Sequence, residues 1–139
     1  MISQRILSFL IDLNKNNNLE WFQSHYSEYQ AARKDFEKFI GSYLVEINKI
    51  DPEIGMKEAR DCIFRIHRDM RFTNDPRPYK TNFGAVFKKG GRKSPYGAYY
   101  LHIEPGNSFV GGGMYNPPNE QVKKIRKIWL INTGITKGL

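Results

Sequence analysis

The spacing of the apolar residues changes near Asp51-Pro52, and this change restricts the chain to folds that combine helices with a sheet. Before that point apolar residues recur every three or four positions, which is the helical period. The period predicts a helix over residues 3–16, which ends at three consecutive asparagines, and a longer helix over about residues 20–48. The apolar stripe of the longer helix is interrupted only by Arg33 and comprises Phe22, Tyr26, Tyr29, Phe36, Ile40, Tyr43 and Ile47.

After the proline, polar and apolar residues alternate, which is typical of β-strands. The alternation predicts strands over residues 62–68, 82–87, 98–104 and 108–115. Short connections between strands imply antiparallel neighbours, and a basic helix is predicted over about residues 119–128. We therefore expect a single α+β domain over residues 1–139, with two N-terminal helices packed on a mainly antiparallel sheet of about four strands and a C-terminal helix after it.

The composition indicates a folded protein outside the membrane. Hydrophobic residues make up 40% of the 139 residues and aromatic residues 14%, which is enough to form a core. No apolar run reaches the roughly 20 residues that a membrane-spanning helix needs, and the N-terminal residues do not resemble a signal peptide, so we expect a cytoplasmic protein. Cys62 is the only cysteine, which excludes an internal disulfide, and its apolar surroundings predict a buried thiol that is not a nucleophile.

The formal net charge of +8 is concentrated in the middle of the chain. Residues 57–93 contain eleven Lys and Arg against four Asp and Glu, a net charge of +7, whereas residues 1–56 contain six against eight. Residues 94–139 contain five Lys and Arg against two Asp and Glu. A localised basic region attracts phosphate groups, nucleotides or nucleic acid, so an anionic small molecule or a nucleic acid is the expected partner.

The densest group of cations predicts an anion-binding site. Guanidinium groups that share a short segment repel one another unless an anion lies between them, and their fork geometry suits phosphate. The predicted binding residues are Arg65, Arg68, Arg71, Tyr79 and Lys80. The competing interpretation is a structural protein in which Asp69 and Asp75 pair with these arginines in an internal network.

A second hypothesis is an enzyme, a hydrolase or transferase acting on a phosphorylated substrate. The candidate acid–base residues are His67, Asp69, His102 and Glu104. A histidine beside a carboxylate is the minimum for proton transfer. Two histidines with a carboxylate could also bind a metal ion, while a purely structural His–Glu pair is the simpler alternative. No metal or cofactor is assigned from the sequence.

Several ordered motifs resemble a widespread bacterial family of unknown function, domain-of-unknown-function family 2461. They are Asn18-Leu19-Glu20-Trp21-Phe22, Asp61-Cys62-Ile63-Phe64-Arg65-Ile66, Pro78-Tyr79-Lys80-Thr81, Tyr99-Tyr100-Leu101-His102-Ile103-Glu104-Pro105-Gly106 and Phe109-Val110-Gly111-Gly112-Gly113. The resemblance covers about residues 6–127 and implies no substrate, cofactor or catalytic residue. It also implies further helical sequence, so residues 129–139 are expected to be a divergent tail that a truncation or a change of reading frame would explain.

Overall fold

Residues 2–113 are described by a computed structural model, and within them the protein is α+β, with helices packed on one face of an antiparallel sheet. The helices are α1 (Gln4–Lys15), α2 (Leu19–Ser24), α3 (Tyr26–Ile50) and α4 (Ala59–Cys62). The strands are β1 (Phe83–Lys88), β2 (Ala98–Ile103) and β3 (Phe109–Gly113), in the order β1-β2-β3. None of the helices in this part of the chain is long and apolar enough to cross a membrane.

The two predicted N-terminal helices are present, and polar side chains determine where they begin and end. Ser3 caps α1, since its hydroxyl accepts a hydrogen bond from the amide of Ile6. Asn16 ends α1, and Asn18 starts α2 by accepting from the amide of Trp21. Such side chains satisfy amide groups that have no partner within the helix.

The second predicted helix is divided at His25 into α2 and α3, which the periodicity of the sequence does not indicate. The ring Nδ1 of His25 lies 2.8 Å from the carbonyl oxygen of Trp21, and the hydroxyl of Ser24 donates to the same oxygen at 2.9 Å. The rings of Trp21 and His25 also stack, with centroids 4.2 Å apart. The backbone amide of His25 is shared between the carbonyls of Trp21 and Phe22, at 3.0 and 3.2 Å, so the last turn tightens and α2 ends there.

The sheet has one face against the helices. Strand β2 pairs with β1 and with β3 in antiparallel register, in which His102 lies opposite Gly84 and opposite Phe109. The inner face contributes the buried residues Phe83, Ala85, Phe87, Leu101 and Ile103, which pack against Ile6, Phe9, Leu10, Leu13, Phe36 and Ile40 of the helices. Full burial of such side chains stabilises a fold by about 1.5–3 kcal/mol each.

The predicted strand over residues 62–68 is not a regular strand, so the described sheet has three strands and not four. Residues 63–68 still run antiparallel to residues 78–85, but only through isolated bridges of Ile63 with Ala85 and of His67 with Tyr79. Ile63 and His67 are four positions apart, whereas their partners Tyr79 and Ala85 are six positions apart. The segment from Tyr79 to Ala85 therefore has two more residues than the segment opposite it, and they interrupt the ladder as a bulge does. The predicted helix at 119–128, the tail at 129–139 and the last residues of the predicted strand 108–115 lie outside the described residues.

Candidate functional site

The interrupted pairing of residues 63–68 with residues 78–80 places Arg65 and Lys80 on the walls of one groove. The amide of Lys80 donates to the carbonyl of Ile66 at 2.8 Å, and the amide of Arg68 donates to the carbonyl of Pro78 at 2.9 Å. These bonds fix the backbone on both sides of the groove. We call this feature the cationic groove, and its volume is about 520 Å³.

The cationic groove is lined mainly by polar side chains from four parts of the chain. The residues that form its walls are Tyr29, Arg33, Arg60, Ile63, Phe64, Arg65, Ile66, His67, Asp69, Lys80 and Arg92. Five of them are arginine or lysine and one is an aspartate. A groove of this size is within the range of small-ligand sites, and its walls carry an excess of positive charge.

Most of this positive charge is not neutralised by carboxylates. Arg33 pairs with Glu37 at 3.4 Å, but no carboxylate of residues 2–113 lies within 4.0 Å of Arg60, Arg65, Lys80 or Arg92. Lys80 and Arg92 instead lie 5.5 and 5.7 Å from the ring centre of Phe64. Burial, together with the charges of Arg65, Arg68 and Arg92, lowers the pKa of Lys80. A lowered lysine pKa is the expected result of burial next to other positive charges.

Two of the predicted binding residues form ion pairs elsewhere. Arg71 donates to both carboxylate oxygens of Asp69, at 3.0 and 2.8 Å, and Arg68 lies 3.7 Å from Asp75. Arg77 also pairs with Asp75, at 2.7 Å. The internal Arg–Asp network that the sequence offered as an alternative therefore accounts for Arg68 and Arg71, but not for Arg65 and Lys80.

These ion pairs share a local pattern, Asp-x-Arg. Asp69 accepts from the amide of Arg71 at 3.1 Å, and Asp75 accepts from the amide of Arg77 at 3.0 Å. Each aspartate thus closes a turn on the backbone and pairs with the guanidinium two residues later. Hydrogen bonds from the arginine hold the pKa of each carboxyl well below its usual value.

Tyr79 is a core residue in the structure. Its side chain is 1% exposed and its ring stacks on Phe22, with centroids 4.1 Å apart. The side-chain amide of Asn17 pairs with the backbone of Tyr79, donating to its carbonyl at 2.9 Å and accepting from its amide at 3.0 Å. Tyr79 therefore positions the backbone of its neighbour Lys80 and does not line the cationic groove.

The four candidate acid–base residues do not form one constellation. His67 and Asp69 line the cationic groove, but Asp69 is already paired with Arg71. His102 and Glu104 belong to a separate hydrogen-bond chain on the face of the sheet away from the helices, beside Phe109, on whose ring His102 stacks. Within residues 2–113 no three histidine, cysteine, aspartate or glutamate side chains are grouped so that they could hold a metal ion.

The hydrogen-bond chain runs from Tyr100 through His102 to Glu104 and Thr81. The Nε2 atom of His102 lies 3.0 Å from Glu104, and its Nδ1 atom lies 3.0 Å from the hydroxyl of Tyr100. In a neutral ring Nε2 donates to the carboxylate, so Nδ1 accepts from Tyr100. Thr81 donates to the second carboxylate oxygen of Glu104. Both ring nitrogens and both carboxylate oxygens have partners, as a structural His–Glu pair requires.

Three cations of the cationic groove were missed in the sequence: Arg33, Arg60 and Arg92. Arg60 and Arg92 belong to the region of net charge +7, but no local motif distinguishes them from solvated residues. Arg33 does have a signal, since it is the one charged residue in an otherwise apolar helical stripe. A half-buried cation at such a position indicates a polar site beside the helix.

Cys62 is expected to resist alkylation in the folded protein and to react after unfolding. Its thiol is fully buried, 3.6 Å from the carbonyl of Glu58, and burial raises its pKa to about 11 with a smaller effect from Asp61. Because the thiolate is the reactive form, incubation with iodoacetamide should leave the native mass unchanged, while the same reaction in denaturant should add one carbamidomethyl group. Labelling at equal rates in both states would contradict this assignment.

Comparison with known proteins gives one finding. A family model described as conserved hypothetical protein (DUF2461) matches residues 5–133. No curated protein and no solved structure matches the chain significantly.

Proposed function

The chain belongs to the DUF2461 family, whose description names no activity, and we propose that it binds a phosphate-containing anion in the cationic groove. The observation that carries this proposal is the set of cations without carboxylate partners. Arg60, Arg65, Lys80 and Arg92 share one groove and, among the described residues, none of them has an ion-pair partner.

Electrostatics explains why an anion suits this groove. Like charges held close together destabilise one another, and the charges of Arg65, Arg68 and Arg92 add to the effect of burial in lowering the pKa of Lys80. A phosphate group placed between Lys80 and Arg65 cancels the repulsion and accepts charge-assisted hydrogen bonds. Guanidinium groups bind phosphate in a two-point geometry, while the lysine adds a point charge.

The enzyme hypothesis receives less support from the geometry. Catalysis by His102 would need an open ring nitrogen next to the substrate, but Tyr100 and Glu104 occupy both nitrogens. His67 lines the groove, yet the nearest candidate carboxylate, Asp69, is bound by Arg71. We therefore propose binding and not hydrolysis or group transfer.

We expect Arg65→Ala and Lys80→Ala each to weaken phosphate binding by about tenfold or more, because each removes a charge-assisted hydrogen bond. The measurement is a titration with pyrophosphate, followed by NMR chemical shifts of the protein. Binding should also raise the pKa of Lys80, since the anion offsets the surrounding positive charge. Affinity should fall as the salt concentration rises.

The matched control is Lys38→Ala, which removes one exposed positive charge from α3 at a different surface. It should leave pyrophosphate affinity within about twofold of the original value, since distant exposed charges are screened by salt. Equal losses from Lys38→Ala and Lys80→Ala would mean that binding is a general effect of net charge. No loss from Arg65→Ala and Lys80→Ala would refute the cationic groove as the site.

A further inference from the structure

A second groove adjoins the cationic groove and continues its positive charge. It has a volume of about 840 Å³ and is lined by Gly55, Met56, Lys57, Asp61, Phe64, Gly90, Gly91, Arg92 and Lys93. Phe64 and Arg92 belong to the walls of both grooves. The guanidinium of Arg92 lies at the junction, where it donates to the carbonyl of Ile63 at 3.4 Å. The two grooves therefore form one surface, which we call the cationic track.

Positive charge extends along the whole track. Lys57 and Lys93 line the second groove, and in the part of the chain that the structure covers neither forms an ion pair. Together with Arg60, Arg65, Lys80 and Arg92 they make six cations without carboxylate partners among those residues. Asp61 and Asp69 are the acidic residues on the walls, and Asp69 is neutralised by Arg71. One phosphate cannot contact such a row of cations, whereas a chain of phosphates can.

Two exposed aromatic rings, Phe72 and Tyr96, are connected to residues on the walls of the track. Phe72 is 88% exposed, and the guanidinium of Arg71 lies 5.3 Å from its ring centre. Arg71 in turn forms an ion pair with Asp69, which lines the cationic groove. Tyr96 is 50% exposed and carries Lys89 5.0 Å from its ring centre. Tyr96 also borders Gly90, a residue of the second groove. Because Phe72 is 88% exposed, most of its ring surface is open to a planar group.

We propose that the cationic track binds single-stranded nucleic acid, with Phe72 and Tyr96 as stacking platforms for bases. This inference rests on the proposed phosphate binding and adds the class of ligand. Proteins that bind single strands without sequence preference combine a positively charged groove, which follows the sugar–phosphate backbone, with aromatic side chains on which the bases stack. A duplex keeps its bases stacked on each other, so the two rings favour a single strand.

The test is fluorescence anisotropy with a labelled oligothymidine of about 12 nucleotides, a length within the usual range for single-strand sites. Oligouridine of the same length distinguishes RNA from DNA. We expect Phe72→Ala and Tyr96→Ala each to raise the Kd about 5- to 30-fold, as lost base stacking does. Phe72→Tyr and Tyr96→Phe keep a ring and should stay within about twofold of the original Kd. Arg65→Ala and Lys80→Ala should each reduce the slope of log K against log salt by about 0.7.

The control is Val45→Ala, which shortens an exposed apolar side chain on α3 that lines neither groove, and it should leave the Kd unchanged. Equal affinity for a duplex of the same length would overturn the inference. Unchanged oligonucleotide affinity in Phe72→Ala and Tyr96→Ala would also overturn the inference of single-strand binding. In that case, a loss of pyrophosphate binding in Lys80→Ala would still support the proposed function. If pyrophosphate binding does not depend on Arg65 and Lys80, the proposed function fails as well.

Discussion

Replacement of Tyr79 by alanine is expected to destabilise the folded protein by about 3–5 kcal/mol, the usual cost of deleting a large buried aromatic side chain. The ring of Tyr79 stacks on Phe22 and also contacts the ring of His67, with centroids 5.3 Å apart. Its removal leaves a cavity between α2 and the segment that precedes β1. The measurement is the free energy of unfolding from urea titration, followed by circular dichroism.

Tyr79→Phe separates this structural role from a role in binding. The hydroxyl of Tyr79 makes no hydrogen bond to any described residue, and burial raises its pKa. Tyr79→Phe should therefore change the free energy of unfolding by less than about 1 kcal/mol, as volume-conserving core changes do, and should leave the affinity for pyrophosphate unchanged. A loss of affinity in the folded Tyr79→Phe variant would instead support the hydroxyl as an anion ligand, as the sequence alone predicts.

Tyr79 is predicted from the sequence to bind an anion but is buried in the core, which shows that the neighbouring residues in the sequence do not determine its position. Pro78-Tyr79-Lys80-Thr81 reads as a polar loop next to the cluster of arginines. The burial of Tyr79 depends on Asn17 and Phe22, which are more than fifty positions earlier in the chain. Such pairing depends on tertiary packing, and no spacing within residues 73–81 encodes it.

The N-terminal helical region and the β2–β3 hairpin were predictable because their signals are local. Helical spacing and capping side chains locate α1, and Pro105-Gly106 marks the turn that joins β2 to β3. Asn107 closes that turn on Glu104 at 2.9 Å, and Gly106 has a φ of 76°, which glycine adopts without strain. The strand predicted at 62–68 failed because regular pairing depends on the partner segment, which contains two additional residues.

The candidate site was predictable as a region but not as a set of contacts. The region of net charge +7 over residues 57–93 supplies four of the five cations on the walls of the cationic groove, Arg65 and Lys80 among them. Arg71 pairs with Asp69 and Arg77 pairs with Asp75, and both pairs follow the Asp-x-Arg pattern, which is visible in the sequence. The contributions of Arg33 and Arg92 depend on packing between distant segments. The spacing of apolar residues shows which face of a helix or strand is buried, but not which distant segment packs against that face.

Glu104→Gln is expected to lower the free energy of unfolding by about 2 kcal/mol at pH 7, because it weakens hydrogen bonds to a charged acceptor. Burial alone would raise the pKa of Glu104, but hydrogen bonds from Thr81, His102 and Asn107 outweigh it and lower that pKa. A carboxyl whose pKa is lower in the folded than in the unfolded state stabilises the fold above its unfolded pKa. That stabilisation disappears as the pH falls through the folded pKa.

The two proteins should therefore differ most at neutral pH and converge in acid, below the ordinary glutamate pKa of 4.5. Urea unfolding measured at several pH values between neutral and acid tests this directly. Glu46→Gln is the control, since Glu46 is an exposed glutamate whose side chain lies 3.2 Å from Lys49 on the surface of α3. Surface pairs of this kind contribute at most about 1 kcal/mol, so this variant should show a small difference at every pH. A Glu104→Gln difference that persists undiminished in acid would show that the carboxylate charge does not stabilise the Tyr100–His102–Glu104 chain, and that the substitution acts through packing.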